Sequence, residues 1–81
     1  MEVLERNEIK QITHLLGLLS VRERQLVKYF ATGYSNAEIA LVVDIAATTV
    51  KIHRAHVYKK LGVDSLKDLM HLLEVKPTHP L

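Results

Sequence analysis

The sequence predicts an all-α protein, and three observations carry that prediction. Apolar residues recur three and four positions apart almost throughout the 81 residues, which is the spacing of one helix face. No stretch shows the strict alternation of apolar and polar residues that marks a half-buried strand. Three serines are each followed three residues later by an acid, at Ser20 and Glu23, Ser35 and Glu38, and Ser65 and Asp68. That pattern marks helix N-termini, where hydroxyl and carboxylate each satisfy an otherwise unpaired amide. With 48% apolar residues, three Gly and two Pro, the composition is that of one small folded domain.

Five helices follow in order. Residues 4–16 place Ile9, Ile12, Leu15 and Leu16 on one stripe, with Glu5, Arg6, Glu8 and Lys10 elsewhere; Gly17 is expected to close this helix in a left-handed conformation. Residues 1–17 read as a linker helix leading into a domain over residues 18–74. Ser20 starts a helix over 21–31, after which Gly33 turns the chain. Ser35 starts a short helix over 36–43, with Tyr34 placed to staple onto Ile39. The longest helix, over 46–61, has Ala46 or Ala47 where a serine would cap it, a deficit of about 1 kcal/mol that Thr48 or Thr49 offsets in part. Ser65 starts the last helix, over 66–74, with Asp68 a weaker capping partner than Glu and with Leu69 and Met70 on its core stripe. Residues 75–81, with two prolines, form a flexible tail.

Composition narrows the functional classes. Without cysteine there is no disulfide, thiolate nucleophile or thiolate metal site. No run approaches the roughly 18 apolar residues of a membrane span, and the charged N-terminus is unlike a signal peptide; a cytoplasmic location and no membrane partner are expected. An enzyme is not expected, because no glycine-rich phosphate loop or activated nucleophile is present and the serines have capping roles. His53 and His56 are spaced i, i+3 but lack a third ligand, so neither a metal nor another cofactor is expected. His53 is placed at the edge of the core, giving a hydrogen bond, and His56 near the surface.

The formal net charge is only +2, so its distribution carries the argument. Residues 45–63 hold Lys51, Arg54, Lys59 and Lys60 and no acid. On a wheel of about 100° per residue, Val50, Val57 and Leu61 share one side, flanked by His53 and Arg54. Thr48, Lys51, Ile52, Ala55 and Lys59 gather opposite. A helix about 10 to 12 Å wide fits the roughly 12 Å major groove of B-DNA, where the cations would neutralise phosphates and Ile52 and Ala55 would meet base edges. A Lys-rich solvated face is the plainer reading of the same residues. A two-turn helix at 36–43, a turn at "DIAA" and a longer basic helix form the helix-turn-helix plan.

These residues also carry a family resemblance. "LS-x-RE" at Leu19 to Glu23, "GYSNAEIA" at Gly33 to Ala40, "TVKIH" at Thr49 to His53 and "KLGV" at Lys60 to Val63 fall in order within the run Leu19 to Met70, 52 of the 81 residues. The run resembles the LuxR-type (GerE-like, NarL-like) DNA-binding domain of bacterial transcription regulators. The resemblance implies a four-helix domain whose second and third helices form the helix-turn-helix and whose last helix makes a homodimer, here through Leu66, His71 and Leu72. It implies base reading by Lys51, Ile52 and Ala55, and phosphate contacts from Ser35, Asn36, Thr48 or Thr49 and Lys59. Partners implied are double-stranded DNA and, beyond it, RNA polymerase or an N-terminal regulatory domain.

The chain departs from that pattern in four places. Ala46 replaces the usual capping Ser, Ala37 a common Lys or Arg, Leu66 a frequent Arg, and Leu41 and Val42 a polar pair on the outer side of the short helix. Two alternatives stay open from the residues alone: a sigma-factor promoter-recognition region, against which "KLGV" and the fresh Ser65 start argue, and a helical adaptor that binds protein through Leu41, Val42 and the last helix. Salt separates the adaptor from a DNA binder, since only DNA binding falls steeply as salt rises.

Overall fold

A computed structural model describes residues 6–74, with side chains from residue 10 onward. Its order is α1 (Arg6–Gly17), α2 (Val21–Ala31), α3 (Asn36–Val43), α4 (Ala47–Leu61) and α5 (Leu66–Leu73), all helical as the spacing predicts. Leu4, Glu5, the side chains of Arg6, Glu8 and Ile9, and the tail 75–81 lie outside the described residues.

The Ser-x-x-acid pattern acts as read. Ser20 and Glu23 form a complete capping box for α2, and Ser35 and Glu38 one for α3. At α5 only half of it forms: Ser65 Oγ accepts from the Asp68 amide at 3.1 Å, without the return bond. The Asp side chain is one methylene shorter than Glu. Ala46 is the N-cap of α4, which starts one residue later than expected and receives no side-chain cap, so neither Thr48 nor Thr49 compensates.

Gly17 departs from expectation. It is the last residue of α1 and does not take positive φ, unlike Gly33 (φ 92°) and Gly62 (φ 70°). The helix closes by another device: Leu18 and Leu19 amides donate back to the Leu15 and Leu16 carbonyls, and the Arg24 guanidinium donates to Leu16 O at 3.2 Å and Leu19 O at 3.1 Å. Carbonyls satisfied from outside need no left-handed residue. Asp44, by contrast, takes left-handed φ 55° at the end of α3, a conformation a short polar side chain tolerates, and turns the chain into α4.

Leu26, Phe30, Ile39, Val50, Val57 and Leu69 are fully buried and anchor the core, drawing on α2, α3, α4 and α5. Val50, Val57 and Leu61 are the buried residues of α4, the side the wheel assigns to the core. On α5 the core residues are Leu69 and Leu73, with Leu72 packed at their edge; Met70, expected on that stripe, is half-buried outside the cluster. A residue one position beyond Leu69 points about 100° away, whereas Leu73 returns to the same face. Ile12, Leu15 and Leu16 of α1 pack against the core. An apolar groove of about 210 Å³ remains between Ile12, Leu16, Val27, Ala31 and Leu73.

Candidate nucleic-acid interface

The interface is built on α4, whose long axis is fixed by two neighbours. α3 and α2 make the main contacts with it. Its outer face carries Thr48, Lys51, Ile52, Ala55 and Lys59, all exposed, with Ile52 55% exposed although apolar. Among the described residues, Lys51 and Lys59 make no hydrogen bond or ion pair, so both ammonium groups are free. The wheel places the five within about 100° of one another. Thr49 is half-buried at the border of this face, with exposed His56 beside it.

Ser35 and Asn36 lie at the start of α3. Ser35 Oγ accepts from the Glu38 amide at 3.1 Å; a hydroxyl that accepts can still donate its own hydrogen. Asn36 is half-exposed, and its Oδ1 accepts from Arg54 Nε at 2.8 Å. The expected dimer residues do not share one face. Leu66 is half-buried, His71 exposed, and Leu72 packs against the core; on a helix the three point about 100° to 140° apart.

Two groups emerge that sequence reading missed. Arg54 is half-buried at the junction of three helices. Its Nη2 donates to Tyr34 O at 3.0 Å and its Nη1 to Tyr58 Oη at 3.3 Å, with Cζ 4.6 Å from the centroid of Phe30. Gly33 makes this possible by turning Tyr34 back onto α2, where its ring meets Tyr29 edge-on at 5.4 Å. Helical spacing sets Arg54 beside the core side of α4, and gives no sign of the partners it meets there.

The second group centres on Glu23, whose capping role is only part of its work. Its buried carboxylate accepts from Lys60 Nζ at 2.6 Å as well as from the Ser20 amide at 2.8 Å, and His56 Nδ1 stands 3.8 Å from its other oxygen. The Lys60 hydrogen bond, then the Ser20 amide, lower the Glu23 pKa from 4.5 to about 2 against the opposing effect of burial. Lys60 is thereby committed to the fold.

His53 corrects an expectation. Its Nδ1 is buried and makes no hydrogen bond. Among the described residues no group of three or more His, Asp or Glu is arranged to hold a metal, and no helix is long and apolar enough to cross a membrane.

A short helix, a left-handed turn and a longer helix with an exposed basic ridge define a helix-turn-helix DNA-binding domain. The family of bacterial regulatory proteins described as the luxR family matches residues 17–73. The chain belongs to that family.

Relatives agree. The response regulator protein TodT of Pseudomonas putida is 43% identical over 69% of this chain and 25% of its own length. The response regulator protein TmoT of Ectopseudomonas mendocina is 43% identical over 83% of this chain and 30% of its own. The transcriptional regulatory protein TdiR of Thauera aromatica is 36% identical over 93% and 33%. The chain thus spans a quarter to a third of the length of these curated relatives. No solved structure matches it.

Proposed function

We propose that this domain binds double-stranded DNA sequence-specifically, with α4 in the major groove and its outer ridge against the bases. The observation that carries the reading is the joint exposure of Thr48, Lys51, Ile52, Ala55 and Lys59 on one side of a helix whose other side is core. In this reading Lys51, Ile52 and Ala55 face base edges. Lys59, Ser35, Asn36, Thr48 and Thr49 hold phosphates, aided at α4 by first-turn amides that no side chain caps. α5 makes a homodimer that sets the spacing of two half-sites.

The test is selection of binding sites from random duplexes at fixed salt, followed by salt titration on the selected and scrambled sites. A preferred sequence and a log–log salt slope of about −0.9 for each neutralised phosphate are expected. No enrichment, with equal affinity for both duplexes, refutes base reading. Lys51→Ala is expected to cost about 1 to 3 kcal/mol on the selected site and less on the scrambled one.

Leu41 and Val42 favour a second contact. They are 86% and 57% exposed and adjacent on α3, a surface for another protein such as RNA polymerase or a regulatory domain. That contact is expected to persist at high salt.

A further inference from the structure

The reading above leaves Arg54 without a role in DNA binding, since its guanidinium is turned into the fold. It nevertheless holds Asn36, a polar side chain at the start of α3. A guanidinium has only donors, so the Asn36 atom facing Nε is necessarily the carbonyl oxygen. Because the carboxamide is planar, fixing Oδ1 fixes Nδ2 as well. Among the described residues that nitrogen has no partner, and Asn36 is half-exposed. Arg54 cannot easily swing away, because Tyr34 O, Tyr58 Oη and the Phe30 face fix the rest of the group.

We propose that Arg54 is a positioning residue of the DNA interface: it holds Asn36 Oδ1 so that the two Nδ2 hydrogens point outward, preset to donate to a DNA phosphate oxygen. The assignment rests on the DNA-binding reading. An unheld asparagine would lose rotamer freedom on binding, and a held one has lost it already. Arg54 acts in this way without touching DNA, so its charge is not counted among those that release counterions.

The experiment measures affinity for a fluorescein-labelled mixed-sequence duplex, from low salt upward, using variants whose helical circular dichroism and melting are intact. Asn36→Asp keeps an acceptor for Arg54 but replaces the outward donor with a carboxylate oxygen. It is expected to melt no lower than wild type and to bind about tenfold more weakly. Asn36→Ala and Arg54→Gln are each expected to lose about the same factor, and the double variant no more than either alone. The salt slope of Arg54→Gln is expected to equal that of wild type.

If Arg54→Gln does not melt cooperatively, Arg54→Lys replaces it, keeping a charge over Phe30 without the three-way fork. In either Arg54 variant the Asn36 side-chain amide resonances are expected to lose the shift that DNA induces in wild type. Wild-type affinity in Asn36→Asp overturns the assignment. So do multiplying losses in the double variant, or a slope reduced by about 0.9 in the Arg54 variant, the mark of a direct phosphate contact. A wild-type chain that binds no duplex ends the DNA-binding reading itself, and this assignment with it.

Discussion

Within α4, Arg54 and Lys60 differ from Lys51 and Lys59 in what their charge meets. Arg54 binds Asn36, Tyr34 and Tyr58, and Lys60 binds buried Glu23. Lys51 and Lys59 are exposed on the side of the helix away from the core. A cluster of four cations on one helix therefore divides into two that hold helices together and two free for a polyanion. The helical wheel already sets Lys51 and Lys59 apart from Arg54; the structure adds the partners, a carboxylate that offsets the Lys60 charge and neutral groups that fix Arg54 in place.

The largest effects on stability are expected at Arg54 and at the Glu23 partner of Lys60. Arg54→Ala strips three hydrogen bonds and the Phe30 contact, and is expected to cost about 3 kcal/mol in urea unfolding. A cost below about 0.5 kcal/mol would place Arg54 with the solvated cations. Glu23→Ala removes both the α2 cap arm and the Lys60 partner, at about 2 kcal/mol.

The acid limb of stability sharpens the same point. The folded-state pKa of Glu23 lies below its ordinary value of 4.5, at about 2. Its contribution is therefore complete above about pH 4.5 and is lost as pH falls towards 2. Glu23→Ala is expected to flatten the stability profile across that interval, which pH-dependent denaturation measures directly. A smaller gain is expected from Ala46→Ser, which supplies the cap that α4 lacks and should add about 1 kcal/mol.

The outer pair is expected to show the least effect on folding and the clearest on DNA. Lys51→Ala and Lys59→Ala should each change stability by less than about 0.5 kcal/mol. Each should also reduce the magnitude of the log–log salt slope by about 0.9 if it holds a phosphate. Equal slopes in wild type and Lys59→Ala would remove Lys59 from the phosphate contacts, and unchanged affinity of Lys51→Ala for both the selected and the scrambled duplex would remove Lys51 from the interface.

What was legible in the sequence was what short-range physics decides. The Ser20, Ser35 and Ser65 starts depend on atoms three residues apart, and the inward side of α4 follows from helical spacing alone. The same is true of the outward ridge, which the wheel selects without knowledge of α2 or α3. Gly17 was misread because its helix end is closed by Arg24, seven residues on. The wheel sets Arg54 beside the core side and leaves Lys60 off the outer ridge, but their partners, 18 to 37 residues away, are beyond the reach of helical spacing. Met70 was misassigned through one step of helix phase, and His53 Nδ1 because a motif position does not reveal which atoms surround it.

The Glu23–Lys60 bond also has a kinetic side. It joins residues 37 apart, so forming it early would require closing most of the domain into a loop before the intervening helices repay the entropy. Helix starts and the α3 to α4 turn involve only neighbours and can form first. The bond is thus expected to behave as a latch set after the folding barrier, and its loss should quicken unfolding in stopped-flow traces while leaving the refolding rate nearly unchanged.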